Sequence, residues 1–171
     1  YTRIAQAGNI PILAYNNPGR TGVHFTPADA AHVAKAASNF VGIKDSSGDL
    51  SNTKAYIEQC PPGFRTFMGR DTLIYAGLCC GCVGTVSATA NVVPDLVVDI
   101  YQAFVDGDQA LALKLQRKLN PLRDAFSLGS FPVVVKDAMA LVGQPAGPAR
   151  APITSITGEA REALVSILRD L

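Results

Sequence analysis

Phe40-Val41-Gly42-Ile43-Lys44, followed at once by Asp45-Ser46-Ser47-Gly48-Asp49, is the stretch that decides how this chain folds. A β-branched apolar run of that length, broken by turn formers, reads as a buried strand. Side chains alternate along a strand, so Phe40, Gly42 and Lys44 are expected to share one face. An ammonium then stands at the carboxyl end of a buried strand, where open α/β sheets and barrels keep their chemistry. A desolvated lysine loses basicity and becomes a usable nucleophile toward a carbonyl. The plainer alternative is a lysine that leaves the sheet and carries its ammonium to water.

A second segment adds weight to the chemical reading. Ile12-Leu13-Ala14-Tyr15 is another short apolar run, ended by Asn16-Asn17-Pro18-Gly19-Arg20-Thr21-Gly22. Tyr15 closes its strand as Lys44 closes the next, about thirty residues on, the length of one strand-helix-strand unit. Adjacent parallel strands would present a phenol and an amine at the same sheet end. The turn after Tyr15 holds two glycines and a proline, so its backbone can approach a ligand closely. Arg20 lies inside that turn, with a planar fork suited to a carboxylate.

The rest of the sequence alternates in the same way. Thr26 precedes Pro27, with Asp29 close behind, an N-cap followed by proline at the first helical position. Val33, Ala34 and Ala37 supply that helix's apolar stripe. A second helix is expected over 50–59, a strand over 64–68 ending at Gly69-Arg70-Asp71, a short apolar helix over 72–80 and a last strand over 82–87. Strands separated by helices at this interval predict parallel pairing and an α/β fold. From Pro94 onward the pattern is helical. Pro94 starts one helix, Asp108 caps a second running to about Leu128, Pro132 begins a third, residues 144–152 form a loop, and 157–171 make a final amphipathic helix. Two regions are therefore expected, 1–93 with strands and helices and 94–171 with helices alone.

Composition narrows the function. The chain has 171 residues, 48% hydrophobic and 17% charged, with a net charge of +1. That balance gives no case for binding nucleic acid or an acidic surface. No stretch approaches the roughly eighteen apolar residues of a membrane span, and no charged-then-apolar leader opens the sequence. The expectation is a cytosolic enzyme. Cys79, Cys80 and Cys82 cluster, but no fourth ligand lies near them and His24 and His32 are distant in sequence. Tetrahedral zinc wants paired, spaced ligands, so these cysteines, like Cys60, read as small apolar packing in a reduced compartment, with no metal. Lys136 follows Val133-Val134-Val135 and is the rival nucleophile. It has no adjacent phenol or glycine turn and reads as a structural or pocket-rim cation.

Three segments also carry a resemblance. Residues Tyr15 to Gly22, the run Gly42-Ile43-Lys44-Asp45-Ser46-Ser47-Gly48-Asp49, and Gly84-Thr85-Val86-Ser87-Ala88-Thr89-Ala90-Asn91 resemble the three signatures of the dihydrodipicolinate synthase and N-acetylneuraminate lyase family. The resemblance implies pyruvate-handling class I aldolases and lyases on a (β/α)8 barrel with a helical extension. Residues 1–93 would then be the second half of the barrel, strands five to eight, and 94–171 its last helix plus the extension. Family chains run to roughly twice this length, in keeping with the usual size of such barrels. The first four βα units, with a Thr-Thr pair and a second tyrosine that enters a neighbouring subunit, would lie outside this sequence. A half barrel with two unpaired edges is expected to be unstable and inactive alone. The full-length protein is expected to be a homo-oligomer, a dimer of dimers.

The same resemblance assigns roles. Lys44 would form an imine with pyruvate, with no cofactor beyond that covalent imine, and Tyr15 would shuttle protons as general acid and base. A phenol's ordinary pKa of about 10 is poorly matched to neutral pH, so it needs a relay. Gly69 and Val86 stand where backbone groups line the family's pyruvate pocket, and backbone donors suit a ketoacid carboxylate. Arg20 matches the synthase arginine that binds the carboxylate of aspartate semialdehyde. Two departures leave room for other aldehyde partners. Asp45-Ser46-Ser47 replaces the frequent Glu-Ala-Thr of synthases and is shared with several 2-keto-acid aldolases. Gly129-Ser130-Phe131-Pro132 differs from the synthases' usual Asn-Pro pattern. The expectation is therefore a synthase joining pyruvate to L-aspartate 4-semialdehyde. The alternatives are an aldolase cleaving a 4-hydroxy-2-keto acid or 2-keto-3-deoxy sugar acid, and a non-catalytic fragment or regulator that keeps the fold.

Overall fold

Short apolar runs and Pro-led or Asp-capped helices alternate along the first half of the chain, and the structure arranges them much as that pattern dictates. It is a computed structural model that describes residues 1–171. Four strands, β1 (Ile12–Asn16), β2 (Phe40–Asp45), β3 (Arg65–Met68) and β4 (Gly84–Thr85), form one sheet in the order β1-β2-β3-β4. All three pairings are parallel. Nine helices complete the chain: α1 (Thr2–Ala5), α2 (Pro18–Thr21), α3 (Pro27–Ala36), α4 (Leu50–Gln59), α5 (Ile74–Cys80), α6 (Pro94–Val105), α7 (Gln109–Asp124), α8 (Val133–Leu141) and α9 (Gly158–Arg169). The molecule divides into two compact units, Tyr1–Val86 and Ser87–Leu171.

In the first unit, helix starts follow local chemistry. Thr26 accepts from the Asp29 amide and the Asp29 carboxylate accepts from the Thr26 amide, a reciprocal cap with Pro27 in the first turn. Asp49 caps α4 through the amides of Ser51 and Asn52. Ala30, Ala31 and Val33 of α3 and Tyr56 of α4 bury their apolar surface with Ala14 of β1 and Ile43 of β2. Burying the Ile43 side chain alone is worth about 2 kcal/mol. The Tyr56 hydroxyl is buried with it and donates to the carbonyl of Phe25.

The first unit departs from the expected pattern at four places. The register slips between Ile12 and Leu13, because Ile12 pairs with Phe40 while Leu13 pairs with Gly42, so Val41 is skipped. An extra residue reverses the alternation of side chains. Phe40 therefore joins the helix-side core, its ring near those of Phe25 and Phe64, and does not share the face of Lys44. The last strand is regular only at Gly84 and Thr85, since β3 offers it two partners; the amides of Val83 and Val86 extend the ladder to the carbonyls of Thr66 and Met68. The helix expected over 72–80 begins as a tight turn, Asp71–Leu73, before α5. The turn after Tyr15 is itself one helical turn, α2, closed by Gly22 at a φ of 70°.

The second unit is all helical, with a core of Leu122, Phe126, Val133, Val134, Ala138, Ile156 and Leu164. Helix α7 stops at Asp124 and continues as a tighter turn, Ala125–Leu128, rather than as α-helix to Leu128. Pro121, inside its last turn, has no amide hydrogen and crowds the preceding turn. Lys136 donates its Nζ to the carbonyls of Ala146, Gly147 and Pro148 at 3.1, 3.1 and 3.2 Å, so this cation holds the loop over 144–152 in place. No helix is long and apolar enough to cross a membrane.

Candidate active site

Tyr15 and Lys44 are cross-strand neighbours, paired in register at the carboxyl ends of β1 and β2. The Lys44 amine lies over the Tyr15 ring, 4.3 Å from its centroid, close enough for attraction between an ammonium and the ring face. Tyr15 is half-exposed, and its hydroxyl accepts from the Asn17 side chain at 3.0 Å. Lys44 is half-buried. A phenol that can pass protons thus stands beside an amine that can attack a carbonyl.

Gly69, at the end of β3, gives the lysine its room. A Cβ there would stand 2.1 Å from Ser46 Oγ, 2.9 Å from the Asp45 carbonyl oxygen and 3.0 Å from Lys44 Cε. A side chain here would strike the Ser46 hydroxyl first and would also crowd the lysine stem. The Gly69 amide donates to the Asp45 carbonyl at 2.8 Å, and Ser46 Oγ donates to the Gly69 carbonyl at 3.1 Å. Val86 lies just past β4, half-exposed, with its amide donating to the Met68 carbonyl at 3.0 Å. Both amides are thus engaged within the sheet, and what these positions offer a ligand is space and carbonyl oxygen. Arg20 is exposed on α2, at the same carboxyl edge as Tyr15.

Two polar residues behind this pair were not singled out from the sequence. Asn16 and Asp45 each follow a site residue, each is 1% exposed, and they too are in register. Asp45 read as a turn former, whereas it is the last residue of β2. Its carboxylate accepts five hydrogen bonds, from Asn16 Nδ2, the Ser47 amide, Ser47 Oγ, Asn52 Nδ2 and Thr53 Oγ1. The available signal was a polar residue next to each candidate with no turn residue before it.

The cysteines are all free thiols. Burial pushes the Cys60 thiol up to about 11 and Cys82 up to about 12, with the nearby Cys80 as a further cause for Cys82. No group of three or more His, Cys, Asp or Glu side chains is placed to hold a metal ion.

The model of the dihydrodipicolinate synthetase family matches residues 1–171, the whole sequence. The chain belongs to that family. A 4-hydroxy-tetrahydrodipicolinate synthase of Methanopyrus kandleri is 40% identical over 169 residues, covering 99% of this chain and 55% of that protein. The crystal structure of dihydrodipicolinate synthase from Thermotoga maritima superposes with a TM-score of 0.94 at 29% identity, over 99% of this chain and 59% of that one. A prophage protein of E. coli K12, belonging to the dihydrodipicolinic acid synthase family and solved in complex with pyruvate, gives a TM-score of 0.90 at 28% identity, over 98% of this chain and 58% of that one. The parallel α/β arrangement is thus the one these family members share. The chain spans between 55% and 59% of the length of the curated relatives it matches.

Proposed function

We propose that this chain is the carboxyl-terminal half of a (β/α)8 barrel, strands five to eight with a helical extension, in a lyase that joins pyruvate to L-aspartate 4-semialdehyde. The observation that carries the reading is the Lys44 amine 4.3 Å from the Tyr15 ring at the sheet's carboxyl edge. The pyruvate complex of the prophage relative and the synthase names of the other relatives support it.

Lys44 attacks the pyruvate ketone, the nitrogen-carbon bond forms, and the ketone oxygen leaves as water. The protonated imine withdraws electrons from the neighbouring methyl group, which loses a proton to become an enamine. The enamine carbon attacks the aldehyde, whose oxygen takes up a proton to become a hydroxyl. The semialdehyde's own amine then displaces Lys44 from the imine carbon, closing a six-membered ring and freeing the lysine. Tyr15 carries protons in these steps through a relay supplied by the remainder of the barrel. The imine is its own electron sink, so the chemistry needs neither metal nor organic cofactor. Arg20 takes the semialdehyde carboxylate through a charge-assisted, two-pronged contact. The full-length protein works as a cytoplasmic homo-oligomer in this reading, with Gly69 and Val86 beside the pyruvate.

The sequence Asp45-Ser46-Ser47 favours a second reading, in which the same imine serves the reverse cleavage of a 4-hydroxy-2-keto acid. Borohydride reduction of the full-length enzyme with pyruvate, followed by peptide mapping, should place the adduct on Lys44. Label on Lys136, or no label, would sink the lysine assignment. Turnover of aspartate semialdehyde then supports the synthase, and turnover of a 4-hydroxy-2-keto acid alone supports the aldolase.

A further inference from the structure

The register that brings Tyr15 beside Lys44 also brings Asn16 beside Asp45, one residue further on and on the opposite face of the sheet. Asn16 Nδ2 donates to Asp45 Oδ1 at 2.9 Å, and the Ser46 amide donates to the Asn16 carbonyl at 2.8 Å. The Asn16 side-chain oxygen is occupied as well, accepting from the Phe25 amide at 3.1 Å. Asp45 is held from three further directions. Asn52 and Thr53 reach it from the first turn of α4, Ser47 from the following loop, and the Gly69 amide bonds its backbone carbonyl from just past β3. Every donor to the carboxylate is uncharged, so what fixes this buried charge is the number and direction of its hydrogen bonds. A fully satisfied buried network of this kind has one good geometry and resists sliding.

We infer that Asn16 and Asp45 are positioning residues for the imine chemistry: their hydrogen bond locks β1 and β2 in the register that sets the Lys44 amine against Tyr15. The inference rests on the Schiff-base reading of Lys44. Neither side chain points to the face where substrate would bind, so both act through their neighbours. Sliding β1 by a fraction of a residue would cost the pair its alignment while leaving the pyruvate pocket near Gly69 largely intact. Misplacement of reacting groups by about 1 Å lowers rates by roughly 10²-fold.

The decisive comparison is between two ways of weakening the same network in the full-length enzyme. Asn16→Ala removes the bond between the strands. Thr53→Val removes one of the carboxylate's α4 donors and leaves the strand-to-strand bond in place. The readouts are the melting temperature, the rate of borohydride-trapped adduct formation at saturating pyruvate, and the pyruvate concentration giving half that rate. Asn16→Ala is expected to slow trapping by about 10- to 100-fold with nearly unchanged half-saturation, while Thr53→Val lowers the melting temperature and traps at close to the wild-type rate. Asp45→Glu, which keeps the acceptor and the charge, should retain most of the rate that Asp45→Asn loses. If Asn16→Ala does not fold, Asn16→Ser, which keeps one hydroxyl where two hydrogen-bonding groups stood, takes its place with the same expectation. Trapping by the Asn16 variant at the wild-type rate, or losses in both variants that simply follow their melting temperatures, would overturn the inference. If Lys44 is labelled in the wild type, such a result removes the positioning role alone; if the wild type carries no label on Lys44, the Schiff-base reading falls and takes the inference with it.

Discussion

Single atoms decide how much room the Lys44 side chain has. A Cβ at position 69 would press on the Asp45 carbonyl at 2.9 Å and on Lys44 Cε at 3.0 Å. The backbone carbonyl cannot yield, because it accepts the Gly69 amide at 2.8 Å. The Ser46 hydroxyl, nearest of all at 2.1 Å, must swing away, and the lysine stem must give as well. Gly69→Ala in the full-length enzyme is expected to cut pyruvate trapping by about 10²-fold, a loss of near 2.7 kcal/mol in transition-state stabilisation, and borohydride labelling rates measure it. In the proposed mechanism Arg20 belongs to a different step. Arg20→Ala should leave pyruvate trapping almost intact, raise KM for aspartate semialdehyde and lower its kcat/KM by about 10²-fold, as expected for losing a charge-assisted pair. Equal loss of pyruvate trapping would mean that this arginine holds the first substrate or the fold.

Helices α3 and α4 hold the strand ends in place, and each has a point where its stability can be tested. The Thr26–Asp29 capping box opens α3, and Thr26→Ala should lower stability by about 1 kcal/mol in chemical denaturation. The Asp29 carboxyl is held below the usual carboxylate range by its bonds to Thr26, so its share of that stability fades as pH falls through the folded value. At the other end of the scale, burial pushes the Tyr56 hydroxyl on α4 up to about 12 and the Cys60 thiol that follows α4 up to about 11. Both groups keep their protons in the native state at a pH where the unfolded chain has released them. The unfolded state then binds fewer protons, so stability falls as pH rises. Melting temperatures should hold level up to about pH 8.5, the ordinary thiol value, and decline steadily above it. Cys60→Ala should lessen the start of that decline, with the buried Cys82 thiol, pushed up to about 12, supplying the rest. An unchanged profile in that variant would show that the thiol is not a cause.

At the scale of the whole chain, the sheet has two edges. Strands β1 and β4 are each paired on one side only. Leu13 and Tyr15 on β1 and Val86 beside β4 are half-exposed. Unprotected apolar edges of this kind recruit other strands. The 171-residue chain expressed by itself is expected to associate with rising concentration in sedimentation experiments and to trap no pyruvate. Supplying the remaining barrel segment of the full-length protein should restore both a discrete size and the adduct. A monodisperse, pyruvate-trapping fragment would contradict the half-barrel proposal.

Local patterns in the sequence already determined much of this protein. Two apolar runs ending in Tyr15 and Lys44, the proline-led and Thr- or Asp-capped helices, and the helical stretch after Pro94 are features that neighbouring residues impose on one another. The three signature segments carried the family in the same local way. Other features depended on contacts that no single segment contains. The slip that leaves Val41 unpaired and turns Phe40 toward the helices is a property of two strands together. The clash that reserves position 69 for glycine involves Ser46, Asp45 and Lys44 from a different strand and loop. Asp45 looked like a turn residue because its five hydrogen bonds come from four residues in three separate stretches of chain. A sequence announces what a residue prefers among its neighbours; only the folded sheet, by bringing β1, β3 and α4 against the end of β2, decided which polar groups are buried, which are satisfied, and which lysine meets a tyrosine.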